Sequence, residues 1–114
     1  MPKEITDSLK NIEVQEVYDL ESACRQADVL YMTRIQRERF TDPAEYERVK
    51  DMFIMTGRHV EIFRPGAIIL HPLPRVNEIE VEVDEYPGAA YFRQAANGLP
   101  VRMALLAMIT GNVK

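Results

Sequence analysis

The sequence has no tryptophan, one cysteine, five scattered glycines and no long apolar run. Each shortage excludes something. A lone Cys24 cannot close an intramolecular disulfide and suits a reducing compartment. The glycines form neither G-x-G-x-x-G nor a phosphate-cradling loop. No apolar stretch approaches the roughly 20 residues of a membrane span. The opening Met-Pro-Lys-Glu-Ile carries no apolar signal region, so a cytoplasmic location is expected. Basic charge is also short, with 14 Lys and Arg against 18 Asp and Glu for a net charge of −4. A nucleic-acid surface needs a basic patch, so neither nucleic acid nor membrane is expected as a partner. Cys24, His59 and His71 lack metal-ligand spacing, and no metal site is expected.

What is present is ordinary for a soluble domain. The chain has 114 residues, 46% hydrophobic and 28% charged, enough for one small core. Helix and strand signals alternate, which predicts an α/β arrangement with parallel strands. Pro2 suits a first helical turn, with Ile5 and Leu9 on one face. Residues 14–18 read as a weak edge strand. Asp19 reads as an N-cap for a short helix with Leu20, Ala23 and Ala27 on one face. Residues 29–32 form a near-continuous apolar run, the pattern of a strand covered on both sides.

Asp42-Pro43-Ala44-Glu45 is a strong helix start, with Tyr46, Val49 and Phe53 following at helical spacing. Gly57 interrupts this stretch. Pro65-Gly66 marks a turn, and residues 67–70 give a third strand. Residues 71–87 read as a long functional loop containing a helical turn. A helix is expected over residues 89–96, broken at Asn97-Gly98. A final helix then has Pro100 in its first turn, an apolar face of Leu99, Met103, Leu106 and Ile109, and Gly111 near its end.

Two segments stand where strands end, which is where open α/β sheets bind ligands. In the first, Arg34 and Gln36 project the same way if the chain stays extended. A guanidinium grips a carboxylate through two parallel hydrogen bonds, and a carboxamide adds donor and acceptor capacity. The pair suits an acidic amino acid, although an Arg34–Glu38 surface salt bridge satisfies the same spacing. The cluster Arg34, Arg37 and Arg39, with Glu38 inside it, reads as a solvated, internally paired loop.

In the second segment, His71-Pro72-Leu73-Pro74-Arg75, two prolines stiffen the backbone and remove two N–H donors. The carbonyls of Pro72 and Leu73 are then free to accept from an amine or a carbamoyl NH2. A stiff strand exit without a ligand explains the same residues. His71 is a general base or, more commonly in such a place, a hydrogen-bonded structural group. His59 receives no role. Glu80, Glu82, Asp84 and Glu85 read as a solvated acidic face, and Cys24 as a structural thiol.

Residues 28–40, 71–83 and 90–107 resemble the aspartate carbamoyltransferase catalytic chain. The last of these reads Ala-Tyr-Phe-Arg-Gln-Ala-Ala-Asn-Gly-Leu-Pro-Val-Arg-Met-Ala-Leu-Leu-Ala. Related ornithine carbamoyltransferases carry Cys-Leu-Pro where this chain has His71-Pro72-Leu73-Pro74, and lack the Thr33-Arg34-Ile35-Gln36 pattern. The resemblance implies a partial Rossmann-like, three-layer α/β domain with a short parallel sheet of about three strands flanked by helices. Residues 1–114 would form the C-terminal part of the aspartate-binding domain, with the carbamoyl-phosphate domain absent. Arg34 would bind an aspartate carboxylate and Gln36 would help hold it. Pro72 and Leu73 would offer carbonyls to the carbamoyl NH2 and the aspartate amine.

By the same resemblance, residues 35–50 would be a mobile loop, with Arg39 as an interdomain salt-bridge partner. Arg75 and Arg102 would shape the site. The family joins carbamoyl phosphate and L-aspartate into N-carbamoyl-L-aspartate and phosphate, an early step of pyrimidine synthesis, without a cofactor. The Ser-x-Arg-Thr-Arg phosphate motif and the Gly-Arg-Thr loop of the family are not in this sequence. The family's trimeric sites also borrow a Ser and a Lys from a neighbouring subunit. The expectation is therefore an aspartate-binding portion inactive alone and completed by an N-terminal half within a homotrimer. The competing expectation is a non-catalytic amino-acid-binding or subunit-interaction module. An open sheet edge and exposed apolar surface would make the isolated chain marginally stable or self-associating.

Overall fold

The computed structural model describes residues 3–112. Pro2, and with it the expected proline start of the first helix, lies outside them. The elements run α1 (Lys3–Ser8), α2 (Leu20–Gln26), β1 (Val29–Tyr31), α3 (Pro43–Val49), α4 (Gly57–Val60), β2 (Ile68–Leu70) and α5 (Tyr91–Ile109). Short 3₁₀ turns cover Arg37–Arg39 and Val81–Glu85.

Local chemistry sets the helix starts. The Asp19 carboxylate accepts from the Ser22 N–H at 2.7 Å and caps α2. Asp42 accepts from the Ala44 N–H at 2.9 Å, with Pro43 in the first turn of α3. Each cap satisfies a backbone donor that the helix itself leaves unpaired. The α3 helix stops at Val49, short of Phe53. Thr56 and His59 form a reciprocal cap on α4, so His59, given no role from sequence, holds a helix start.

β1 and β2 pair in parallel, with Val29 opposite Ile68, Leu30 opposite Ile69 and Tyr31 opposite Leu70. The ladder extends through Ile68 N–H to Asp28 C=O at 3.0 Å and Met32 N–H to Leu70 C=O at 2.9 Å. The far side of β2 is taken by the segment before α5. Ile69 N–H donates to Gly88 C=O at 2.8 Å, and Ala90 N–H donates to Ile69 C=O at 2.9 Å. β2 is therefore central and β1 lies at an edge. The Pro65-Gly66 turn leads into β2, with Gly66 at φ 83° and Ala67 N–H bonded to Arg64 C=O at 3.0 Å. At Gly88 the chains approach closely: a Cβ there would stand 2.3 Å from the Ala67 carbonyl oxygen.

The core comprises Cys24, Met32, Met55, Ile69, Ile79, Val83 and Tyr91, all buried. Burial raises the Cys24 thiol pKa to about 11, which keeps it protonated and suits the structural role expected for it.

The sequence-based expectations differ from the fold in three places. The sheet has two strands, not three, because residues 14–18 form no strand. A strand exists by pairing, and no described segment pairs with these residues; Tyr18 is 82% exposed. β1 is not covered on both sides, since Val29 and Tyr31 are both half-exposed. The expected break at Asn97-Gly98 is absent, and α5 runs continuously through Pro100. Gly98 does not take the left-handed conformation that a helix stop there requires, whereas Gly111 does, at φ 71°. Proline at position 100 removes one helical donor, and the turns on either side carry the ladder across. On the continuous α5, Leu99, Met103, Leu106 and Ile109 are all exposed.

Ile69 is fully buried at the centre of β2, so Ile69→Ala should destabilise by about 2–5 kcal/mol. Ile109→Ala, at a position 81% exposed, should change stability by no more than about 0.5 kcal/mol. Urea unfolding midpoints of the two variants test this; equal shifts would contradict the assigned core.

Candidate functional site

Parallel pairing places the carboxyl ends of β1 and β2 side by side. The segment after β1 supplies Thr33, Arg34 and Gln36. The segment after β2 supplies His71, Pro72, Leu73 and Pro74. Together they line a cleft of about 290 Å³. Four expected substrate-binding residues, Arg34, Gln36, Pro72 and Leu73, thus meet in one place, with His71 behind them.

Arg34 is half-exposed, and its guanidinium meets Glu38 at 3.5 Å. The surface salt bridge allowed by the spacing therefore forms. An exposed pair of this kind contributes about 0–1 kcal/mol, so a better-placed carboxylate displaces Glu38 readily. Gln36 is extended, at φ −84° and ψ 109°. Arg39 lies in an adjoining groove with Gln36 and Phe40.

The second segment is held from behind. Leu73 has φ 50°, a left-handed conformation uncommon outside glycine, and the Leu73–Pro74 peptide is cis. The Leu73 N–H donates to His71 Nδ1 at 2.8 Å. Because Nδ1 accepts, the ring carries its proton on Nε2. That nitrogen lies 2.7 Å from Glu78 Oε1, off the line of a well-aligned hydrogen bond, and neither atom has another partner among the described residues. His71 is 1% exposed. It is a structural group that shapes the turn at Leu73, and it does not present a base to the cleft. Among the described residues no donor reaches the carbonyl of Pro72 or Leu73. Both acceptors are free for a ligand.

Glu78 carries charge under burial. Burial raises its pKa, but backbone N–H groups of Glu78 itself and Val76, followed by the His71 ring, outweigh that and hold it below the ordinary value. Its Oε2 accepts from Val76 N–H and Asn77 N–H, both at 3.1 Å.

Arg75 turns away from the cleft. Its guanidinium meets both Asp84 oxygens, with the Nη2–Oδ2 bond at 2.7 Å, and lies 5.8 Å from the centroids of the Tyr91 and Phe92 rings. The Tyr91 hydroxyl donates to the same carboxylate. The Arg75 bonds, then that of Tyr91, hold the Asp84 carboxyl below its ordinary pKa against the cost of burial. Burial first, then Asp84, pushes the Tyr91 hydroxyl up to about 12. The acidic run is therefore only partly a solvated face: Asp84 clamps the loop to α5, and Glu82 accepts from the Gly57 N–H at 2.6 Å. Arg102 is exposed on α5, follows Gly98 by one turn and does not line the cleft.

Glu78, Asp84, Tyr91 and Gln94 support the site and were not picked out from sequence. Only Asp84 carried a local signal, its place in the acidic run. Gln94 accepts from the His71 N–H at 3.0 Å and donates to the Tyr31 hydroxyl at 2.9 Å, a link between residues 63 positions apart.

The chain that carries this cleft is similar to known proteins in sequence and in fold. The profile described as "Aspartate/ornithine carbamoyltransferase, Asp/Orn binding domain" matches residues 2–109. The chain belongs to this family. Within the family it is 53% identical to the aspartate carbamoyltransferase catalytic subunit of Methanosarcina barkeri over 116 aligned positions, which cover all of this chain and 38% of that one. It is 48% identical to that of Picrophilus torridus, over 98% of this chain and 37% of the relative. The chain therefore spans under two fifths of the length of these relatives.

Solved structures agree on the fold. The catalytic subunit of M. jannaschii aspartate transcarbamoylase superposes with a TM-score of 0.81 at 48% identity, over 98% of this chain and 37% of that one. The Trypanosoma cruzi enzyme in complex with carbamoyl phosphate and aspartate gives 0.78 at 34% identity, over 92% and 34%. These neighbours bear out the α/β, Rossmann-like class, although the sheet of this chain has two strands.

The Asp84 pair sets a pH dependence. Its folded pKa is depressed, so its stabilisation is present above the unfolded value of about 3.9 and is lost as pH falls through the folded value. Asp84→Asn should remove that component. Between about pH 6 and about pH 3, the urea midpoint of the variant should fall less than that of the parent. Parallel curves would show that the pair carries no linked stability.

Proposed function

We propose that this chain is the aspartate-binding portion of an aspartate carbamoyltransferase. The supporting observation is the cleft that joins Arg34 and Gln36 to the unpaired carbonyls of Pro72 and Leu73. One wall offers positive charge and an amide. The other offers rigid acceptors. L-aspartate needs both, because it carries carboxylates to be gripped and an amine to be aimed.

In this reading the Arg34 fork displaces Glu38 and binds a substrate carboxylate, with Gln36 beside it. The Pro72 and Leu73 carbonyls accept from the aspartate amine and the carbamoyl NH2. The neutral amine lone pair then faces the carbamoyl carbon. A C–N bond forms, the C–O bond to phosphate breaks, and the proton lost by nitrogen leaves on phosphate. Holding the two reactants in this geometry supplies much of the acceleration, and fixed carbonyl dipoles stabilise the N–H groups as nitrogen becomes positive. The buried His71 acts through the shape of the turn.

The carbamoyl-phosphate-binding portion is a separate part of the assembly, and the working enzyme is a homotrimer. Arg39 pairs across the two portions when they close. Arg75 acts through its ion pair with Asp84, which holds the loop to α5.

The test is complementation. The chain is combined with the carbamoyl-phosphate-binding portion of an aspartate carbamoyltransferase, and carbamoyl aspartate is assayed. Product should form with L-aspartate and not with L-ornithine. Arg34→Ala should lower kcat/KM for aspartate at least ~100-fold, from the loss of two charge-assisted hydrogen bonds of about 1.5–3 kcal/mol each. Arg34→Lys should restore little, since it keeps the charge without the fork. The KM for carbamoyl phosphate should stay unchanged. A complemented wild-type chain without product, or an Arg34→Ala variant with unchanged aspartate kinetics, would defeat the assignment.

A further inference from the structure

We infer that Gln94 is a positioning residue, whose side-chain amide locks together the two strand ends that carry the cleft. Gln94 lies on the second turn of α5 and does not line the cleft itself. Its Oε1 accepts from the backbone N–H of His71, the residue after β2. Its Nε2 donates to the Tyr31 hydroxyl, on the last residue of β1. Arg34 lies three positions after Tyr31, and Leu73 two positions after His71. One amide therefore spans both strands immediately before the residues assigned to substrate.

Each bond has a reason. The His71 N–H lies past the last strand pair and has no backbone acceptor among the described residues. The Gln94 oxygen satisfies it, which fixes the start of the proline turn. Tyr31 is half-exposed at the end of an edge strand. Its backbone is paired with β2, yet its side chain has no other described hydrogen-bond partner than Gln94. The amide thereby sets the direction in which the chain leaves β1 towards Thr33 and Arg34. Few amino acids fit. The residue must accept on one arm and meet a hydroxyl on the other, from a helix at fixed distance. Leucine has the size without the polarity. Glutamate retains the fit, because its carboxylate accepts from both the His71 N–H and a rotated Tyr31 hydroxyl.

The inference deepens the aspartate-binding reading and rests on it for its catalytic consequence. The structural consequence stands apart and is tested first, on the 114-residue chain alone, by NMR and amide exchange. In Gln94→Leu, exchange of the His71 N–H should quicken at least ~10-fold, a loss of about 1.4 kcal/mol of protection. Backbone resonances of Arg34 and Leu73 should shift, while those of residues 103–109 stay in place. Tyr31→Phe, which deletes one hydroxyl, should shift Arg34 without quickening His71 exchange. Gln94→Glu should match the parent at all three positions. An Arg34 resonance unmoved in both Gln94→Leu and Tyr31→Phe would overturn the inference. So would a Gln94→Glu variant that behaves like Gln94→Leu.

In the complemented enzyme, Gln94→Leu should raise the KM for aspartate about tenfold and leave that for carbamoyl phosphate unchanged, with Gln94→Glu close to wild type. A general structural role would lower both affinities together. If the complemented wild type makes no product, the functional reading fails, and the NMR result still decides the clamp.

Discussion

Everything that resembles a binding site here depends on three residue pairs of parallel strand. Val29, Leu30 and Tyr31 run alongside Ile68, Ile69 and Leu70. Parallel pairing sends both chains out at the same end of the sheet, which an antiparallel hairpin never does. The arginine that follows one strand and the prolines that follow the other then face each other. No residue of the cleft needs to know about any other; the register brings them together. The pairing is also short, so the burden of keeping the two exits aligned falls on what packs behind them.

That support is made of charge and hydrogen bonds as much as apolar contact. His71 and Glu78 are almost completely buried beneath the turn, and Arg75 and Asp84 close over the following loop against Tyr91. Breaking one partner of such a pair leaves an uncompensated polar group, and this makes the arrangement rigid even where its net contribution to stability is small. A left-handed leucine persists where its surroundings over-determine it. Here the His71 ring, the Gln94 amide and two neighbouring prolines do so. The stiffness of the second cleft wall comes from groups that do not touch the cleft.

Sequence alone revealed the elements whose signals are local. The Asp19 and Asp42 caps, the Pro65-Gly66 turn and both paired strands were legible because the chemistry that makes them lies within four or five residues. The Arg34–Gln36 and His71–Arg75 segments were legible as strand exits carrying unusual residues. The errors have a common origin. Residues 14–18 were read as a strand without a partner to pair with, and Asn97-Gly98 as a stop that the backbone does not adopt. The supporting groups were illegible for a related reason. Glu78 reads as one more surface carboxylate until His71 is found under the loop, and Gln94 as one more helical amide until Tyr31 is found 63 residues away.

That last separation bears on the order in which the molecule can be assembled. The strands, the proline turn and the loop all precede α5 in the chain, yet Tyr91 and Gln94 complete their supports. A growing chain that had already emerged through residue 87 would hold every group assigned to the substrate and still lack the helix that sets their spacing. Contacts of such long range form late, after the loop-closure entropy between them has been overcome. Alignment of the two cleft walls would therefore wait until the start of α5 has emerged, and would be lost when that start comes away from the strands.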